Sequence, residues 1–404
     1  MYKKGTKCQV CIGCGHCFGA NGDGLKGISF VMQNNVQGDL LQSICAYSGD
    51  RQLVTVDIGT TTIAMQLHGQ DGRVEDCYAQ VNSQIKYGAD VLSRIEAAKQ
   101  GEVALELKKL VRDVLEQGFE KFKKQLPEGK QILAVIAANT TMTYLLMGYD
   151  TEELGQAPFE AKHLSYIHTE ICGEECLICP GASAFVGGDI VAGILACDMW
   201  QKEDVTLLID LGTNGEMVLG NKERMLACAT AAGPAFEGGV NRGVWGADMI
   251  RLLATLLDEE IMDETGLLAD PYFETGVRIG DVCVTQESIR AVQLAKGAIR
   301  AGIEILVREY GISVGQINRV ILAGGFGYHL DPKAATRIGL LPQELADKAV
   351  SGGNTALAGA QKLGSAFLFE SEACWGYMDM TKITVLNLAQ ISEFQELYMG
   401  ALEF

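Results

Sequence analysis

Leu53-Val-Thr-Val-Asp-Ile-Gly-Thr-Thr-Thr-Ile63 is the stretch on which the reading of this chain turns. Before Asp57 the residues alternate and include β-branched side chains, as a strand requires. Gly59 then lets the backbone swing against a ligand with no Cβ in the way. Thr60, Thr61 and Thr62 offer hydroxyl and backbone N–H groups to anionic oxygens, and Asp57 can hold a magnesium ion directly or through its waters. The stretch reads as a strand-turn-strand hairpin that holds a phosphate. Taken alone, D-x-G-T-T also fits an ordinary tight turn.

The chain repeats the pattern. Thr206-Leu-Leu-Ile-Asp-Leu-Gly-Thr-Asn-Gly-Glu-Met-Val-Leu219 is again strand, Asp210, Gly212, Thr213, Asn214, turn and strand. Self-similarity at this spacing predicts duplicated lobes facing one another across a cleft. A third element, Val320-Ile-Leu-Ala-Gly-Gly-Phe-Gly327, runs a buried strand into Gly324, Gly325, Phe326 and Gly327, where bare backbone suits the face of a nucleoside. In this order the three elements resemble the phosphate-1, phosphate-2 and adenosine motifs of the superfamily of acetate and sugar kinases, heat-shock chaperones and actin. The resemblance implies an α/β, two-lobed, actin-like and sugar kinase-like (ribonuclease H-like) ATPase fold that takes ATP and Mg2+.

Composition agrees with a large folded body. The chain has 404 residues, 48% of them hydrophobic, with only 7 prolines, enough for two or three domains with sizeable cores. A net charge of −18 repels nucleic acid and anionic lipid, so neither is expected as a partner, and phosphate has to be held by local glycine turns and metal. No apolar run reaches membrane length, since Ile132 to Met147 is broken by Asn139 and its threonines, so no membrane span is expected. Met1-Tyr-Lys-Lys-Gly-Thr-Lys7 leads into no hydrophobic segment, which predicts no signal peptide and a cytoplasmic location. Thirteen cysteines, an odd and unevenly spread set, read as thiols and metal ligands of a reducing compartment.

Those cysteines crowd at the front. Cys8, Cys11, Cys14 and Cys17 fall at C-x2-C-x2-C-x2-C, and Cys45 lies alone downstream. A zinc ribbon wants two separated C-x2-C pairs. Cys11-Ile-Gly-Cys-Gly-His-Cys17 instead resembles the loop of bacterial ferredoxins that wraps three corners of a 4Fe-4S cube. Cys45 is the first candidate for the fourth corner and Cys8 the second, while zinc or an inert cysteine segment stays open as the alternative. Residues 1–48 are thus read as a small ferredoxin-like iron–sulfur domain. Cys172, Cys176 and Cys179 show the spacing of a radical S-adenosylmethionine cluster, but no (β/α) barrel surrounds them, and plain thiols are expected there.

Between these landmarks, residues 51–200 are read as the first ATPase lobe and 201–404 as the second, with a strand-helix tail. Ile132 to Asn139 reads as a buried strand entering a helix capped by Thr140. Asp189 reads as an acidic cap at the start of a crossing helix. Cys228 to Gly239, with Gly233, is a glycine-rich turn suited to anions. A helix from Glu287 to Glu309 carries Lys296 and Arg300, expected on a solvated charged face.

An ATP-grasping body behind an iron–sulfur segment resembles the reductive activators of corrinoid proteins. Further stretches carry that likeness: Asn82-Ser-Gln through Gly88-Ala-Asp-Val-Leu-Ser-Arg-Ile95, Ala138-Asn-Thr-Thr-Met142, Ala157-Pro-Phe159, Phe185-Val-Gly-Gly-Asp189 and Ala232-Gly-Pro-Ala-Phe-Glu-Gly238. The resemblance implies ATP-dependent reduction of Co(II) to Co(I) on a corrinoid protein of a methyltransferase system, fed by a low-potential electron donor. A homodimer is one of the oligomeric states left open. In that scheme Asp57 and Asp210 position magnesium and the attacking water, Thr60, Thr61, Thr213 and Asn214 hold the phosphates, and Gly324, Gly325 and Gly327 face the adenosine. The front departs from better-known members, which carry a longer 2Fe-2S domain and a linker there. A sugar or acyl kinase and an activator of a radical dehydratase are the competing readings on the same fold.

Overall fold

Strand β1 (Arg51–Ile58) is buried along nearly its whole length, and the reason is its place in the middle of a sheet. The computed structural model describes residues 49–212, 214–231, 246–279, 282–324 and 330–404. They divide into two compact units, one made of 49–200 with Asn354–Val385, the other of Gln201–Gly353 with Leu386–Phe404.

In the first unit β1 pairs antiparallel with β2 (Thr62–His68), which pairs with β3 (Val74–Val81). On its other side β1 runs parallel to β4 (Gln131–Ala138). Beyond β4, β5 (Ile167–Ile171) and β6 (Glu174–Ile178) complete the order β3-β2-β1-β4-β6-β5. Alternation sends Val54, Val56 and Ile58 to one face, where they pack with Leu107, Val111, Leu115 and Phe119 of the long Gly101–Lys123 helix. Against the other face lies the Thr355–Glu370 helix, whose Gly364 abuts Leu53 and Val135 with no room for a Cβ. The sequence reading assigned this helix to the second lobe. Here it belongs to the first unit, because its small residues Gly359 and Gly364 fit the crowded surface of that sheet and of the Gly188–Ala196 helix.

The second unit repeats the plan. Strands β7 (Thr206–Leu211), β8 (Gly215–Gly220) and β9 (Met225–Thr230) form an antiparallel meander, and β7 runs parallel to β12 (Arg319–Ala323), which runs parallel to β13 (Ala349–Gly353). The order β9-β8-β7-β12-β13 matches β3-β2-β1-β4-β6 strand for strand. A small separate hairpin holds β10 (Val277–Ile279) and β11 (Val282–Val284). The duplication read from the two acidic turns is therefore present as two six-stranded sheets that share this five-strand order.

The Gln286–Tyr310 helix packs on the second sheet, opened by a Thr285/Ser288 capping box and ended by Gly311 at φ +77°. Only part of its expected charged face is solvated. Arg300 pairs with Glu304 at 2.8 Å, but Lys296 is fully buried, donating to the Glu403 carbonyl and lying 5.0 Å from the Phe404 ring centroid. Burial, with the nearby Arg300 charge, pushes the Lys296 amine down to about 8. Between about 8 and the ordinary 10.5 the unfolded chain binds more protons than the folded one, so this group makes stability rise with pH across that window. Lys296→Met is expected to flatten the rise, as read from urea midpoints taken below, within and above the window. An unchanged slope would show that Lys296 does not titrate there.

Candidate functional site

At the end of β1, Asp57 pairs across to Ala64 on β2 and, on the parallel side, to Ala137 on β4. β4 ends at Ala138 and the Thr140–Met147 helix begins at once. Its N-cap is Asn139, not Thr140 as the sequence suggested: the Asn139 side chain accepts from Met142 N at 2.9 Å, and its amide nitrogen donates to Thr60 Oγ1 at 3.2 Å. The turn itself is closed by Gly59 N–H on the Thr62 carbonyl at 2.9 Å. Thr60 is buried, and Thr61 and Thr62 are half-buried.

Two groups that the sequence reading did not place here complete the setting. Asn354 donates from Nδ2 to Asp57 Oδ2 at 2.7 Å, while its Oδ1 accepts from Leu357 N at 2.8 Å and caps the following helix. Asp189 sits in the first turn of the Gly188–Ala196 helix, behind an N-cap, Gly187, that makes no side-chain cap. It was expected as the cap. Instead its carboxylate accepts from Ile190 N at 2.8 Å and bears electrostatically on Asp57. Gly187 is required by close approach, since a Cβ would lie 2.5 Å from Asn139 Cα and Thr140 N. Burial pushes the Asp57 carboxyl up to about 7; the Asn354 bond opposes this and the Asp189 charge adds to it. Burial likewise pushes Asp189 up to about 6. Both side chains are half-buried, and two partly desolvated carboxylates whose charges disfavour each other form a group that a divalent cation would neutralise.

The second turn has the same frame. Asp210 pairs across to Glu216 on β8 and, on the parallel side, to Ala323 on β12. Gly212 N–H donates to the Asn214 carbonyl at 2.9 Å. Gly324 follows β12 at φ +83°, and a Cβ there would stand 2.5 Å from Asp210 Oδ1, so only glycine lets the two strand ends meet. Thr213, Gly233, Gly325, Phe326 and Gly327 lie outside the described residues, as do Cys8, Cys11, Cys14, Cys17 and Cys45.

Cys172, at φ +53°, is in the turn between β5 and β6, Cys176 is inside β6 and Cys179 just past it. Burial pushes Cys176 and Cys179 up to about 12, which keeps both as thiols. Among the described residues no group of three or more His, Cys, Asp or Glu is arranged to hold a metal ion.

A sheet that repeats its own topology, each copy with an acidic hairpin turn beside a parallel strand, defines the ASKHA class of α/β fold. Comparison with known proteins narrows this. The profile for the RACo middle region matches residues 53–202, and that for the C-terminal ASKHA domain of RACo matches 204–242 and 239–404. The chain belongs to the RACo family of reductive activators of corrinoid proteins. The corrinoid activation enzyme RamQ of Eubacterium limosum is 29% identical over 418 residues, covering 86% of this chain and 69% of that protein. A Co(II) methylated amine-specific corrinoid protein reductase of Methanosarcina barkeri is 28% identical over 251 residues, 48% of this chain and 46% of that one. A solved reductive activator for corrinoid, iron-sulfur protein superposes with a TM-score of 0.77 at 30% identity, covering 88% of this chain and 67% of that one.

Proposed function

We propose that this protein uses ATP to drive the one-electron reduction of Co(II) to Co(I) on the corrinoid protein of a methyltransferase system. The observation that carries this reading is the half-buried, electrostatically coupled Asp57–Asp189 pair at a threonine-rich phosphate turn, within a chain that matches RACo from residue 53 to 404. The carboxylate pair fits Mg2+, which when bound would neutralise it and polarise a phosphate. Asp57 and Asp210 are assigned to the metal and the attacking water, with Asp189 supporting Asp57. Thr60, Thr61, Thr213 and Asn214 are assigned to the phosphates, and Gly233, Gly324, Gly325, Phe326 and Gly327 to the rest of the nucleotide.

Residues 1–48 are assigned a 4Fe-4S cluster on cysteine spacing alone, with Cys11, Cys14 and Cys17 and then Cys45 or Cys8 as ligands. Such a cluster supplies one-electron transfer from a low-potential donor. Lifting one electron by about 200 mV costs about 4.6 kcal/mol. That lies within the ~5.5 kcal/mol that inverts a 1:99 population, so an ATP-biased two-state element is sufficient in magnitude. Among the described residues no helix is long and apolar enough to cross a membrane, and a cytoplasmic setting is part of the proposal.

Two measurements on anaerobically purified protein test the reading. ATP turnover is expected to rise on adding a Co(II) corrinoid protein and to ignore sugars and carboxylates; the reverse pattern would mark a kinase. Iron and sulfide analysis is expected to give four irons per chain, and an iron-free, colourless protein would remove the reduction step.

A further inference from the structure

The turn Gly59-Thr60-Thr61 is pinned from behind by a segment to which the reading above gives no role. Asn82 donates from Nδ2 to the Gly59 carbonyl at 2.9 Å, and its backbone N–H donates to the Thr61 carbonyl at 2.8 Å. The carbonyl between them, Thr60 O, accepts from Arg94 Nη2 at 2.6 Å. Asn82 Nδ2 and Arg94 Nη1 each lie 3.5 Å from the buried Met142 sulfur, so the donors to three successive carbonyls converge on one side of the turn. A trans peptide points each N–H opposite the carbonyl of the residue before it. The N–H groups of Thr60, Thr61 and Thr62 are therefore directed away from Asn82 and Arg94, as in the backbone nests that take up anions.

Arg94 is fixed for this task. It is fully buried, and besides Thr60 it donates from Nε to Gly88 O at 3.0 Å and from Nη1 to Gln84 Oε1 at 3.2 Å. Gln84 in turn donates to Leu107 O at 2.9 Å. Asp90 caps the Val91–Ala98 helix through Ser93 N at 2.8 Å and Ser93 Oγ at 2.7 Å, which sets the angle at which Arg94 returns to the turn. Gly88 is needed because a Cβ there would collide with Ser93 Cβ. Asn82-Ser-Gln84 and Gly88-Ala-Asp-Val-Leu-Ser-Arg94 thus form one device, separate in sequence from the turn they hold.

We propose that Asn82 and Arg94 are positioning residues that orient the Thr60–Thr62 amides into a nest for the polyphosphate chain of the nucleotide, with the buried guanidinium adding positive potential behind it. Thr60 fits this arrangement, since its hydroxyl oxygen accepts from Asn139 and its hydroxyl proton is left to be donated outward. The nest rests on the proposed nucleotide site for its natural ligand, but a bare triphosphate tests it alone.

The experiment is calorimetric titration of the full chain with inorganic triphosphate, MgATP and adenosine, on wild type, Arg94→Met, Arg94→Lys and Asn82→Ala. Arg94→Met and Asn82→Ala are expected to weaken triphosphate and ATP by about 10- to 100-fold, the worth of one or two hydrogen bonds to a charged group. Arg94→Lys keeps the charge but loses the fork and should fall between, at about 3- to 10-fold. Adenosine affinity should stay within about twofold throughout, which a merely structural loss would not allow. Equal affinity of Arg94→Met and wild type for triphosphate, a parallel loss of adenosine and triphosphate, or no triphosphate binding by the wild type would each overturn the nest. Wild-type protein that binds triphosphate through Arg94 but gains nothing from the adenosine moiety would uphold the nest and sink the nucleotide reading.

Discussion

Asp57→Asn is expected to abolish ATP turnover, by about a thousandfold or more, and at the same time to raise the melting temperature of the ligand-free protein at pH 8. The first effect follows from removing the charge that would hold the metal in front of the phosphate; a thousandfold corresponds to about 4 kcal/mol of barrier. The second follows from the cost of that same charge in the empty site. The carboxyl ionises near 3.8 in the unfolded chain and at about 7 in the folded one. Between these values folding takes up a proton, so the wild type loses stability as pH rises through the window. Asn carries no such charge. The variant should therefore match the wild type near pH 4, gain on it up to about pH 7, and hold a constant advantage of about 1–3 kcal/mol above that. Asn can also still accept the Asn354 hydrogen bond through its amide oxygen. A melting difference that ignores pH would show that the Asp57 charge costs the fold nothing, and turnover within tenfold of wild type would show that Asp57 is not at the reaction.

Gly359→Ala is expected to cost about 3 kcal/mol of stability and most of the ATP turnover, although residue 359 touches no ligand. A Cβ at 359 would overlap the Ala192 carbonyl, where the Thr355–Glu370 and Gly188–Ala196 helices cross. The atoms it would meet, the oxygen, carbonyl carbon and Cα of Ala192, are all backbone, which cannot swing aside like a flexible side chain. The helices would have to part, and each carries one neighbour of Asp57: Asn354 caps the first and Asp189 lies in the first turn of the second. Separation would break the 2.7 Å Asn354–Asp57 bond and alter the charge coupling with Asp189. Gly376→Ala is the control in the same unit, since a Cβ there meets nothing within 4 Å and should change stability by less than about 0.5 kcal/mol. Equal denaturant midpoints for the two variants would mean that the crossing does not hold the site together.

Sequence and structure contributed different parts of this picture, and the division has a physical cause. Both hairpin turns, the strands that carry them, the duplication and the buried strand before Asn139 could be read directly. In each, the conformation depends on residues next to one another: alternating apolar side chains make the strand, a glycine frees the turn, and an acid at its start meets the ligand. Arg94 and Asn82 stood in quoted stretches, and their helix-entry pattern was visible, but nothing local says that their hydrogen bonds end on Gly59, Thr60 and Thr61. Asn354 is 297 residues from Asp57, and a helix cap explains it fully until the tertiary structure supplies its second partner. Lys296 has a sequence neighbourhood suited to a solvated face, yet the segment ending at Phe404 covers it. Asp189 reads as an acidic helix cap, and only its partial burial beside Asp57 makes its charge costly. The chain alone determined which backbone turns exist, because turns are made by neighbours. Which side chains are stripped of water and paired was decided by tertiary structure, because desolvation depends on the distant segments that close over them.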